Sequence, residues 1–158
     1  LGSGGTLSAT YLSIAGQTTS LVFDVTGYFV AGSSGTRYVA MTPTRLLDTR
    51  ASNGLSGKFT AWTPRSFAVT GRYLIPANAT GVTGNLTVTG SSSGYAVFLG
   101  PNPTSAPATS TINFSTGQTI ANGVTVALRG DGSLSATYLS TPTQTTSLVF
   151  DVTGYFAP

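Results

Sequence analysis

Residues 144–156 read QTTSLVFDVTGYF, and residues 17–29 of the same chain read the identical string. Just upstream, GSLSATYLS at residues 132–140 matches GTLSATYLS at residues 5–13, with a single Ser-to-Thr difference. Each matched pair is separated by 127 positions, as Phe23 is from Phe150. Because a solenoid unit spans only roughly 20–50 residues, this offset indicates a tandem array of whole domains.

The repeat predicts how the chain divides. We expect residues 1–30 to be the C-terminal hairpin of a preceding repeat, or strands donated to another unit. Residues 31–36 (AGSSGT) would form a flexible linker, and residues 37–158 one complete repeat. The alternative is a local duplication of two similar hairpins inside one domain. Near-identity at one fixed offset favours the array.

Alternation of apolar and polar residues with a period of two recurs along the chain, which is typical of half-buried strands. No window holds a helical apolar stripe that is free of Gly, Pro or Ser/Thr clusters. The pattern predicts an all-β protein, an antiparallel β-sandwich of the jelly-roll or immunoglobulin-like kind, with one hydroxyl-rich face on each sheet. Turns are expected at Gly- and Asn-containing sites such as Asn122-Gly123, and strands at 65–70, 82–89, 95–99, 111–115, 124–128, 134–139 and 148–153.

Several motifs follow one another in a characteristic order: TRLLDTR at 44–50, IPANATGV at 75–82, NLTVT at 85–89, STINF at 110–114 and FDVTGYF at 150–156. Together they resemble a tandem β-rich repeat of secreted and cell-surface proteins of actinobacteria and related bacteria. The resemblance implies an extracellular module, sometimes appended to enzymes such as cell-wall amidases. It implies no catalytic residue.

The inventory of reactive side chains argues against catalysis. The chain has no His, no Cys and no Glu, and its four acids are all Asp. A Ser-His-Asp triad is therefore impossible, and a Ser–Lys dyad would rely on Lys58, which lies in a predicted solvated turn. No two acids are close enough in sequence to suggest a metal site. We expect no enzyme activity, no metal and no cofactor.

Charge and hydropathy limit the partners that the chain could bind. Charged residues make up 7% of the sequence, the net charge is +3, and the cations are scattered rather than clustered. Nucleic-acid binding needs several convergent cations, so we expect none. No apolar run approaches the ~20 residues of a membrane helix, so we expect no membrane span.

Arg45, Asp48 and Arg50 form the most polar spot in the sequence. On a strand, Asp48 and Arg50 would share a face. We expect a partly buried structural ion pair that pins the register of the first strand, because scarce charges placed together usually satisfy one another. The alternative is that the cluster contacts a ligand.

Aromatic residues in the first half of the repeat offer a second kind of surface. Trp62, Tyr73 and Tyr95 could form a stacking platform for a cell-wall glycan, although most aromatic residues pack in cores. Carbohydrate binding is therefore the alternative function predicted from the sequence.

The strongest functional clue is the first thirty residues. Two apolar-alternating strands are predicted there, Leu7–Ser13 and Leu21–Phe29, although residues 134–156 already supply the equivalent strands. An isolated hairpin is marginal in water, and its edges are unpaired. We expect contact with a preceding repeat, with the adjacent repeat, or with another subunit by strand addition, which would build a cell-surface array or fibre. The predicted inter-unit contacts are Leu7, Tyr11, Leu21, Phe23 and Val25.

Overall fold

The computed structural model describes residues 2–32 and 35–158. Within these residues there is no helix, and every regular element is a β-strand. The nine strands are β1 (Arg37–Asp48), β2 (Phe59–Thr60), β3 (Arg65–Ala68), β4 (Gly81–Thr89), β5 (Tyr95–Gly100), β6 (Ile112–Phe114), β7 (Ile120–Ala127), β8 (Ser133–Leu139) and β9 (Thr145–Ala157).

The strands form two antiparallel sheets. The first has the order β1-β9-β4-β7, with the short β2 also pairing with β9. The second has the order β3-β8-β5-β6. The two sheets pack against each other, so the predicted all-β antiparallel sandwich is confirmed.

The core lies between the sheets and follows the predicted alternation. Val82, Leu86 and Val88 of β4 are fully buried, whereas the intervening side chains are only half-buried. From β9, Leu148, Phe150 and Val152 enter the same cluster. Fully burying such side chains contributes about 1.5–3 kcal/mol each, so these inward faces stabilise the sandwich.

The last two strands do not form the predicted hairpin. β8 pairs with β3 and β5, whereas β9 pairs with β1, β2 and β4. The chain therefore crosses from the second sheet to the first between β8 and β9. Each of the two strands lies between two other strands of its sheet. The expectation of a C-terminal hairpin is wrong because both strands have an apolar face, and a sandwich can bury two such faces by placing them opposite each other.

The leading segment likewise forms no hairpin. Residues 2–32 contain no strand, so the strands predicted at Leu7–Ser13 and Leu21–Phe29 are absent from this chain. The reason follows from the topology. To form strands, the leading copy would have to pair with the strands that flank β8 and β9. Among the described residues, those pairing positions are already occupied by residues 133–157.

Two local expectations are also corrected. Asn122-Gly123 is not a turn, since both residues lie inside β7, opposite Leu86 and Asn85 of β4. The outer face of β8 is not solvated, because Ser135 and Thr137 are both buried. The Thr137 hydroxyl donates to the carbonyl of Thr104 (2.6 Å), within a loop that covers this face.

Candidate assembly site

The leading segment exposes the side chains that its copy buries. Leu7, Tyr11, Leu21, Phe23 and Val25 are between 52% and 72% exposed. Their equivalents 127 positions later are completely buried in the sandwich core: Leu134, Tyr138, Leu148, Phe150 and Val152. The same side chains thus lie in opposite environments, and the sequence of the leading segment matches an interior position rather than a surface.

Several residues near the end of the leading segment lie beside the sandwich, and Asp24 and Thr26 line a depression with Asn122 and other residues of β7. The Phe29 ring lies 6.3 Å from the Phe156 ring, between centroids, at the end of β9. Thr26, Gly27 and Tyr28 line an open depression beside Gly81 and other residues of β4 and β7. None of the five predicted contact residues lines this depression, so the structure does not dock them on the adjacent domain.

β7 is the edge of the first sheet next to this depression. It pairs with β4 along Ile120–Ala127, and its other side carries no strand among the described residues. Most of its side chains are exposed. A free strand edge is a template for pairing with further chain. The sequence predicted a strand only at 124–128 and missed the first part of β7, because Asn122-Gly123 resembled a turn.

The predicted charged residues do lie together. Arg50 donates from Nε (2.9 Å) and Nη2 (2.7 Å) to the two carboxylate oxygens of Asp48, and Arg45 donates from Nη1 to the same carboxylate (3.3 Å). The Arg50 hydrogen bonds hold the pKa of Asp48 at about 2, although burial opposes them. Arg50 lies beyond the end of β1, so a turn forms this pair and not the shared strand face that we expected.

Asp151 is a fourth member of this charged cluster, and the sequence analysis did not predict it. Arg45 donates from Nε (2.9 Å) and Nη2 (3.1 Å) to the two oxygens of the Asp151 carboxylate. These hydrogen bonds raise the pKa of Arg45. The contact joins β1 to β9 at the paired positions 45 and 151. Only knowledge of that pairing could have identified it, because the two residues are far apart in sequence.

The predicted aromatic platform is not assembled as one surface. Trp62 and Tyr95 are exposed near the end of β8, where the Trp62 amide donates to the carbonyl of Tyr138 and Ala96 pairs with Leu139. Tyr73 follows the turn at Thr70, whose amide bonds to Gly132 at the start of β8. The seven residues of β8 separate the two sites by roughly 20 Å at ~3.3 Å per residue.

Those aromatic residues share an unusual backbone conformation. Trp62, Tyr73 and Tyr95 have φ values of 63°, 52° and 126°. Positive φ is uncommon for bulky side chains and costs free energy, so the surrounding chain imposes these conformations. The three side chains are between 41% and 64% exposed, which leaves them available for contact.

Residues 2–32 and 35–158 contain no group of three or more His, Cys, Asp or Glu side chains arranged to hold a metal ion. In the same part of the chain, no helix has the length and hydropathy to cross a membrane. No known protein family matches the sequence, and no curated protein matches it either.

Proposed function

We propose that this protein is a non-catalytic structural repeat module of the bacterial cell surface, which forms or spaces an array or fibre through head-to-tail β-strand contacts. One observation carries the proposal. The chain holds two copies of the β8–β9 sequence, yet residues 2–32 and 35–158 provide only one set of neighbouring strands for them. The spare copy, residues 6–30, therefore has an apolar face that needs cover from a second unit.

Cover of that face by a second unit supplies the driving force for assembly, and the free edge of β7 can accept an added strand without displacing residues 133–157. Leu21, Phe23 and Val25 are about 70% exposed, and their copies in β9 are completely buried. Full burial of such a side chain contributes about 1.5–3 kcal/mol, which is the upper limit for each of the three in a contact between units. Because the donor segment and the accepting sheets are different surfaces, each contact leaves both ends of the assembly open, and the contacts propagate as a chain.

The surface composition and the resemblance support an extracellular location. Charged residues are only 7% of the chain, and hydroxyl and amide side chains replace them. The absence of His, Cys and Glu leaves few groups for general acid–base or nucleophilic catalysis. These features favour a scaffold, and the motif order from LLDTR to FDVTGYF suggests the surface of an actinobacterium or a related bacterium.

The test is self-association of the full chain. Sedimentation velocity and negative-stain electron microscopy should show linear oligomers that grow with protein concentration. Phe23→Asp should abolish them, because a carboxylate cannot be buried without a partner. Thr26→Asp is the matched control, since its copy Thr153 is only half-buried on β9. A chain that stays monomeric up to millimolar concentration, or oligomers unaffected by Phe23→Asp, would contradict the proposal.

Carbohydrate binding is the second candidate, and the exposed pair Trp62 and Tyr95 favours it. Aromatic rings stack on sugar faces, and both residues flank the same end of β8. Titration with soluble peptidoglycan fragments tests this function. Trp62→Ala should weaken binding at least tenfold, whereas Tyr73→Ala, at the other end of the strand, should leave it unchanged. No binding to such fragments would remove this candidate.

A further inference from the structure

The two ends of the sandwich lie side by side. β1 and β9 are antiparallel, and Arg37, the first residue of β1, pairs with Ala157, the last residue of β9. The copy of Ala157 in the leading segment is Val30. Only residues 31–36 separate Val30 from Arg37. If Val30 took the place of Ala157, this stretch would form a six-residue hairpin loop into β1, close to the usual length of such loops.

We propose that the β8 and β9 positions of this sandwich form a site that accepts residues 6–30 of the same chain in place of residues 133–157. The closing strand pair would then enter its own domain from the N-terminal side. The strands released would be 133–157, and the sandwich would be a circularly permuted version of the one described. This inference rests on the internal repeat and the position of the ends, and it does not require assembly between chains.

The side chains of β8 and of the middle of β9 that face the core are unchanged in the leading copy. Leu7, Ala9 and Tyr11 repeat the inward residues of β8, and Leu21, Phe23 and Val25 repeat those of β9. No cavity or overpacking is therefore expected in the core after the exchange.

Contacts outside the core are also preserved. Asp24 repeats Asp151, so Arg45 of β1 would retain its paired carboxylate. Gly27 repeats Gly154, where any Cβ would collide with the Tyr38 ring. Both positions contact β1, the strand that the new loop would join.

The connection between the two strands requires a backbone conformation that the leading copy adopts at lower steric cost than residues 141–143. Thr143 has a φ of 70°, which is unfavourable for a β-branched residue. The equivalent residue in the leading segment is Gly16, which already has a φ of 84°. Glycine adopts this conformation without steric cost. The sequence IAG at 14–16 can therefore make the crossover that TPT makes at 141–143.

The short tether favours this exchange over one between chains. A short flexible linker gives an effective concentration on the order of millimolar. At micromolar protein concentration, residues 6–30 therefore reach their own domain more readily than a neighbouring one. Because β8 and β9 lie inside their sheets, the exchange requires the sandwich to unfold, and the strand pair is selected during refolding.

The experiment disables one copy at a time in the full chain. Phe150→Asp places a carboxylate in the core, Phe23→Asp places it in the leading copy, and the double variant disables both. Each protein is refolded at micromolar concentration and followed by circular dichroism, by size-exclusion chromatography with light scattering, and by brief chymotrypsin digestion with mass spectrometry.

We expect Phe23→Asp and Phe150→Asp to refold as monomers with cooperative thermal transitions, and the double variant to remain unfolded. In Phe150→Asp, chymotrypsin should cut first within residues 133–157 and spare residues 6–30, the reverse of the order in Phe23→Asp. An unfolded Phe150→Asp chain overturns the inference. A Phe150→Asp chain that folds only as an oligomer also overturns the inference. That result would support strand exchange between units, so the two proposals can fail separately.

Discussion

At the residue scale, Asp48 is a charged residue whose side chain is buried. Its side chain is buried at the end of β1 and accepts hydrogen bonds from the side chain and the backbone amide of Arg50. Its backbone also bonds to Asn53, which closes the following turn. One carboxylate therefore holds the strand end, the turn and two arginines in a single arrangement.

Asp48→Asn should lower the free energy of unfolding by about 1–3 kcal/mol at neutral pH, because hydrogen bonds to a charged group are lost. The pKa of Asp48 falls from 3.8 to about 2 on folding, so its contribution is complete above about pH 4 and disappears as the pH falls through about 2. Urea denaturation of both proteins between pH 7 and pH 2 measures this.

Asp131→Asn provides the control, since Asp131 lies in an exposed turn. Its effect at neutral pH should be much smaller than that of Asp48→Asn. A difference between wild type and Asp48→Asn that stays constant down to pH 2 would show that the carboxylate does not act through its charge.

At the scale of the strands, β4 and β9 approach closely at Gly84. A Cβ at this position would lie 2.6 Å from the carbonyl oxygen of Asp151 and 2.7 Å from the Phe150 ring. The ring thus packs over the glycine, at a shift in the β4–β9 register between Thr83 and Gly84. Glycine within a strand usually weakens it, and here it makes room for a core aromatic ring.

Gly84→Ala should therefore lower the free energy of unfolding by about 1–3 kcal/mol, the usual cost of overpacking a core. Gly123→Ala in the neighbouring β7 is the matched control, because an added methyl group there would have no neighbour within 4 Å. Urea denaturation compares the two variants with the wild type. Equal stability of the two variants would contradict the close packing at Gly84.

At the scale of the whole molecule, stability is unevenly distributed. Residues 2–32 contain no strand, and their described side chains are exposed, whereas most residues of β8 and β9 are buried. Segments with few buried contacts open with little free energy, and proteases cleave them first.

Brief chymotrypsin digestion of the wild-type protein should therefore cut after Phe23, Tyr28 or Phe29 long before it cuts after Tyr138 or Phe150. Mass spectrometry should find a stable fragment that begins near residue 30 and retains the C-terminal strands. The same digestion in denaturing urea should remove this preference. Cleavage after Phe150 at the rate seen after Phe23 would contradict the distribution of stability described here.

Sequence patterns predicted the class of fold and most strands of the sandwich. The expected strands at 65–70, 82–89, 95–99 and 134–139 agree with β3, β4, β5 and β8 to within two residues. Alternation identifies them because a strand with one buried face must repeat every two residues. The sequence also placed Arg45, Asp48 and Arg50 near one another, since they are close along the chain.

Predictions failed where the partner is distant in sequence. Asn122-Gly123 was expected to be a turn, but its pairing with β4 makes it part of a strand. The pairing of Arg45 with Asp151 was missed for the same reason. In both cases the local sequence indicates only the conformation or contact that neighbouring residues favour. The actual conformation or contact depends on a strand that is distant in sequence.

By itself, the sequence determined that the protein is built from strands and that residues 5–30 repeat residues 132–157. Only the tertiary structure decided that the repeated strands belong to different sheets and that Arg37 lies beside Ala157. The physical reason is that alternation specifies which face of a strand is apolar, whereas its neighbours are chosen by packing two whole sheets together.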